Sequence, residues 1–183
     1  MSKDPVPLKA VHHIEFWVGN AKQAAYFYRK AFGFNQIAYS GLETGNRDRA
    51  SYVLEQGRIR MVFSTPLNSN NGISEHIKMH GDGVKDIAFH VDDAKACYEA
   101  CIARGAKSAR EPEVISDNNG SITQAAIYTY GETIHSFISH ESYNGPFLPG
   151  FEERKVDGDT VGLRFVDHIV GNVELGKMEH WVN

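Results

Sequence analysis

Along residues 11–18 apolar and polar side chains alternate, with Ile14, Phe16 and Val18 on one face of an extended segment and His13, Glu15 and Trp17 on the other. Directly after it the period lengthens: Ala21, Ala24, Ala25, Tyr28, Ala31 and Phe32 recur at helical spacing. Asn20 stands where an N-cap belongs, and Gly33 where a left-handed residue ends a helix. The pattern predicts a strand and then an amphipathic helix, with the apolar strand face packed on the helix. Three short strands are expected next, at 35–40, 49–55 and 58–64, the last two joined by a hairpin turn at Gln56-Gly57.

The pattern then occurs again. Val84 aligns with Val11, Ile87 with Ile14, Phe89 with Phe16, Val91 with Val18, Ala94 with Ala21 and Lys95 with Lys22. The second copy predicts a strand at 86–91, a helix capped by Asp92 or Asp93 and ended by Gly105, and strands at 109–116, 122–130 and 133–140. Ala94, Cys97, Tyr98, Cys101 and Ile102 form the apolar side of that helix. Each copy reads β-α-β-β-β, a supersecondary unit rather than a solenoid turn. The Asn- and Gly-rich stretch 66–83 between them is expected to be a loop with one helical turn at 74–80. A third copy begins at FVDHIVGNV, which sets His168 level with His13 and Asp86, and its helix is expected to start with Met178, Trp181 and Val182.

These elements give an α+β fold of paired βαβββ modules with the start of a third. The expected divisions are an N-terminal tail at 1–8, a two-module domain at 9–140, a linker at 141–160 containing Pro146 and Pro149, and the truncated start of a further domain at 161–183. A chain that stops inside a helix is expected to be a fragment.

Two such modules pair to enclose a cavity on the face away from their helices. That face carries His13, Glu15 and Trp17, then Asp86, Ala88 and His90, and from the third copy His168 and Val170. Imidazoles and carboxylates projecting from neighbouring strands are the donors of a 2-His-1-carboxylate metal site, whose remaining positions stay open to substrate and oxygen. The spacing alone does not separate a ligand from a hydrogen-bonded core histidine. Composition narrows the classes: 183 residues with 42% hydrophobic content suit a soluble globular protein, and a net charge of −4 without a basic run points away from nucleic acid and anionic membranes. No stretch is apolar enough to span a bilayer. The two cysteines, Cys97 and Cys101, lie one helical turn apart and read as core-facing thiols of a cytoplasmic protein.

The segments FWVGNAKQAAYFY, GLETGNR, HGDGVKDIAF, TYGET, GPFLPGFE and VDHIVGNV run in order through nearly the whole chain. Together they resemble the vicinal oxygen chelate superfamily and, within it, the 4-hydroxyphenylpyruvate dioxygenase family. The resemblance implies a subunit of four modules, of which this chain is the first barrel plus the first strand of the catalytic one. It implies one Fe(II) ion per full-length subunit, bound in the C-terminal domain, with His168 as the first of three ligands and Val170 near the substrate pocket. It further implies 4-hydroxyphenylpyruvate and O2 as substrates, homogentisate and CO2 as products, a place in tyrosine and phenylalanine catabolism, and a homo-oligomer at full length. The isolated chain is expected to be inactive, because the other two ligands fall outside it. Hydroxymandelate synthase, a non-catalytic binding protein using the first cavity, and a glyoxalase-type metalloenzyme using His13 are the alternatives.

Overall fold

The computed structural model describes residues 4–140 and 142–182; Met1, Ser2, Lys3 and Glu141 of the expected tail and linker, and Asn183, lie outside the described residues. The first helix, α1 (Ala21–Phe32), begins and ends where its caps require. The Asn20 side chain accepts a hydrogen bond from the Gln23 N–H at 3.0 Å, and Gly33, at φ 68°, donates its N–H back to the last helical turn. Its counterpart α3 (Ala94–Ile102) is capped by Asp93, which accepts from the Ala96 N–H at 2.9 Å, so of the two candidate aspartates the second does the capping.

Among the described residues, nine strands form one sheet. In chain order they are β1 (Leu8–Trp17), β2 (Asn35–Ser40), β3 (Arg49–Gln56), β4 (Ile59–Pro66), β5 (Gly83–Val91), β6 (Ser108–Asp117), β7 (Gly120–Tyr128), β8 (Ile134–His140) and β9 (Glu152–Val156), with α2 (Gly72–His80) between β4 and β5. The spatial order is β6-β7-β8-β5-β1-β4-β3-β2-β9. In each module the first strand runs parallel to the last, β1 beside β4 and β5 beside β8, and the modules join through the antiparallel β1–β5 ladder. The internal repeat is thus a structural one, with the two first strands at its centre.

Strand alternation places the helix-facing residues as expected. Val18, Leu54, Ile59 and Phe63 pack with Ala21, Ala25 and Phe34 under α1, and Val91, Ala125 and Phe137 pack under α3. Phe16 and Phe89, expected to be buried, are only half-buried at the rims of these clusters. Phe16 instead stacks on Phe63, with ring centroids 5.2 Å apart, and Phe63 takes the fully buried place at 1% exposure. Truncating Phe63 to Ala should therefore cost about 3–5 kcal/mol in urea denaturation, more than the same change at Phe89.

On the other face Ala38, Val53 and Val62 from the first module and Ala88, Ile122 and Ile138 from the second are covered by the stretch after β8. Phe147, 4% exposed, inserts against the first set, and Leu148 reaches both. The stretch expected to be a linker therefore does more than connect. Its prolines and glycines turn the chain back so that Phe147 plugs the sheet, and β9 then pairs antiparallel with β2. Every residue of β9 is exposed, and four of its five, Glu152, Glu153, Arg154 and Lys155, are charged, which keeps the new sheet edge from recruiting another strand.

The strand expected around 165–173 is not formed. A strand needs a neighbour for its backbone groups, and among the described residues none lies beside it. The chain leading to it is held at the β3–β4 hairpin instead. There Gln56 Oε1 accepts from Thr160 Oγ1 and from the N–H groups of Val161 and Leu163, and the Arg58 N–H donates to Arg164 O at 2.7 Å. Gly57 permits that contact: it has φ 61°, and a Cβ there would stand 2.6 Å from Arg164 O. A short helix, α4 (Met178–Val182), follows where helical spacing was expected.

Candidate functional site

The side of the sheet that Phe147 covers gathers histidines. A register irregularity in the β1–β5 ladder between Val11 and His13 breaks the alternation, and both His12 and His13 meet Phe147, with ring centroids at 5.7 and 5.1 Å. His12 Nδ1 lies 2.7 Å from His13 Nδ1, and His12 Nε2 lies 2.9 Å from His140 Nε2. A neutral imidazole has one donor and one acceptor nitrogen, so His12 donates to one neighbour and accepts from the other. His90 stands edge-on to His140, with ring centroids 5.5 Å apart. Burial and the neighbouring imidazoles and Arg60 keep His12 neutral by pressing its pKa far down, and burial takes His13 down to about 4 against the opposing pull of Glu15.

The two carboxylates of this face are committed to local partners. Glu15 accepts from Ser64 Oγ at 2.6 Å and from Arg49 at 3.4 Å. Asp86, its cross-strand neighbour, accepts from the Ser136 N–H at 3.0 Å and from Ser136 Oγ at 2.5 Å. Burial raises the Asp86 pKa to about 7 despite those hydrogen bonds, and the facing charge of Glu15 adds to the rise. His13 and Asp86, equivalent in the repeat, are thus buried residues with local partners, His13 against Phe147 and His12, and Asp86 on Ser136. Trp17 turns toward α2, where its ring meets His76 edge-on at 5.1 Å.

His168 and Val170 lie far from that interior in character. The His168 side chain is 74% exposed and Val170 is 73% exposed. Asp167 Oδ2 sits 2.7 Å from His168 Nδ1, which leaves Nε2 as the outward nitrogen. A carboxylate holding one imidazole nitrogen while the other binds a metal is a common ligand arrangement.

Two sets of polar residues escaped the sequence pattern. Sequence alternation did not single out His12, because it allows no bulge between Val11 and His13, and His140 ends a strand that pairs with elements elsewhere in the chain. The second set is His76, His80 and Glu132, which offer donor atoms all within 4.8 Å of one another. The i, i+4 spacing of its two histidines was the available signal; Glu132 comes from the turn between β7 and β8 and carries none.

A sequence profile of the glyoxalase/bleomycin resistance protein/dioxygenase superfamily matches residues 12–123. The chain belongs to this superfamily. It is the vicinal oxygen chelate superfamily, and the paired βαβββ modules are its fold. The 4-hydroxyphenylpyruvate dioxygenase of Dictyostelium discoideum is 45% identical over 180 residues, covering 94% of this chain and 49% of that protein. That of Tetrahymena thermophila is 45% identical over 172 residues, covering 87% and 42%. The chain spans about half the length of the curated relatives it matches. Among solved structures, a mutant of 4-hydroxymandelate synthase from Streptomyces coelicolor superposes with a TM-score of 0.79 at 22% identity, covering 96% of this chain and 50% of that one, a likeness of fold. Among the described residues of this superfamily member, no helix is long and apolar enough to cross a membrane.

Proposed function

We propose that this chain is the N-terminal part of a 4-hydroxyphenylpyruvate dioxygenase, which converts 4-hydroxyphenylpyruvate and O2 to homogentisate and CO2. The observation that carries the proposal is the 45% identity to a dioxygenase of that name over 94% of this chain. In this reading residues 9–140 are a non-catalytic two-module domain, residues 141–160 connect and plug it, and residues 161–183 open a catalytic domain. His168 is the first iron ligand and Val170 borders the substrate pocket.

Iron of this kind needs three facial protein donors. His168 supplies one, with Asp167 set to orient it, so this chain by itself does not complete the site. When bound, Fe(II) would supply coordination of the 2-oxo acid and reaction with O2. The histidines of the two-module sheet are no substitute, because His12 spends both nitrogens on His13 and His140, and Phe147 packs on the His12 and His13 rings. The exposed apolar residues Phe165, Ile169 and Val170 fit a strand that pairs within a further module.

O2 uptake tests the proposal. A protein of the relatives' length, given Fe(II), ascorbate and 4-hydroxyphenylpyruvate, should consume O2 and release homogentisate, and the 183-residue chain should do neither. Release of 4-hydroxymandelate instead would assign the chain to the synthase. Turnover by the 183-residue chain would return catalysis to the first barrel.

A further inference from the structure

We propose that His76, His80 and Glu132 bind a divalent transition-metal ion of the zinc type, at a site distinct from the dioxygenase iron. The helix α2 sets His76 and His80 one turn apart on a single face, with ring centroids 4.5 Å apart. Glu132 Oε2 lies 3.1 Å from His80 Nε2 and 3.9 Å from His76 Nδ1. A tetrahedral ion with bonds of about 2.0–2.2 Å holds its donors about 3.4 Å apart, so small side-chain rotations bring all three onto one ion.

The backbone under Glu132 is unusual. It has φ 63°, and among the described residues it is the one non-glycine with positive φ. Such a conformation is unfavourable for a residue with a Cβ and persists where the surroundings enforce it. Here the Thr133 N–H donates to Tyr130 O and Lys85 Nζ donates to Glu132 O, and together they fix the turn that aims the carboxylate at α2. The donors grade outward: the His76 side chain is 7% exposed, His80 40% and Glu132 56%. The site is anchored at its base and open at its mouth, which leaves further positions for water. Two imidazoles and one carboxylate suit zinc and its neighbours better than calcium or magnesium.

Lys85 lies beside the site, its ammonium 4.8 Å from the centre of the Trp17 ring that His76 also meets. That cation weakens affinity, so the ion is expected to exchange rather than to be locked in. The ion would tie α2, the segment between the modules, to the β7–β8 turn of the second module. His80 and Glu132 fall in HGDGVKDIAF and TYGET, stretches to which the proposed dioxygenase chemistry gives no task.

The test uses the 183-residue chain freed of metal by chelation. Zn2+ titrated by calorimetry should bind one equivalent, Co2+ should give visible bands of a nitrogen- and oxygen-ligated ion, and Zn2+ should raise Tm. His80→Ala and Glu132→Gln, both at exposed positions, should keep the metal-free Tm yet each weaken binding by more than about tenfold. His168→Ala should leave it unchanged. Equal zinc affinity in the parent and both variants, loss with His168→Ala instead, or no saturable binding would overturn the proposal.

Discussion

Replacing Asp86 with Asn is expected to stabilise this domain at pH 8 by up to about 4 kcal/mol and to make it more acid-labile relative to its own maximum. The aspartate is 5% exposed and its pKa is raised from 3.8 to about 7. The folded state therefore holds a proton that the unfolded chain releases. Its contribution is most favourable below 3.8 and is lost as pH rises from there to 7, at about 1.4 kcal/mol per pH unit. Asparagine keeps the shape, can accept from the Ser136 N–H and has no charge to desolvate. His12 and His13 work in the opposite direction. Their pKa values are depressed, so their contribution is whole above 6.5 and is lost as pH falls below it, through about 4 for His13. Two imidazoles against one carboxylate leave a net loss of stability on acidification, and Asp86 offsets part of it. Urea denaturation from pH 8 to pH 4 should show the Asp86→Asn curve above the parent at pH 8 and converging on it toward pH 4. Parallel curves would mean that Asp86 is ionised in the fold at neutral pH.

Local periodicity made both repeated strands and both major helices legible. Asn20, Gly33 and the Ala94-Cys97-Tyr98 face act within a few residues of themselves, and so does the Gln56-Gly57 turn. What depended on remote pairing was not legible. The irregularity that turns His12 and His13 onto the same ring of Phe147 is a property of the β1–β5 register, not of β1. The charged stretch Glu152–Val156 looks like a solvated loop, and becomes β9 because β2 would otherwise end the sheet with unpaired backbone groups. Residues 165–173 show the converse: their alternation is that of a strand, yet no neighbour among the described residues supplies a ladder. Glu132 reaches the α2 histidines from 52 residues beyond His80, a distance over which no spacing rule speaks.

In a protein of the relatives' length, His168→Ala is expected to abolish iron retention and turnover while the first two modules stay folded. The His168 side chain is 74% exposed, so its loss removes a ligand and little from the buried clusters under α1 and α3. The Asp167 contact supports the same assignment, since a carboxylate on Nδ1 fixes the imidazole with Nε2 toward a metal. His13→Ala should do the reverse: it opens a hole beneath Phe147 and lowers Tm, but leaves iron in place. Asp167→Asn should weaken iron affinity by about ten- to a hundredfold without emptying the site at saturating Fe(II).

The most direct measurement is iron per subunit in His168→Ala, His13→Ala and Glu132→Gln, each made in the longer protein and reconstituted with Fe(II) under the same conditions. About one iron per subunit should remain in the parent, in His13→Ala and in Glu132→Gln, and close to none in His168→Ala. Iron retained by His168→Ala and lost from either of the others would contradict the account, and would place the working metal in the first two modules, residues 9–140.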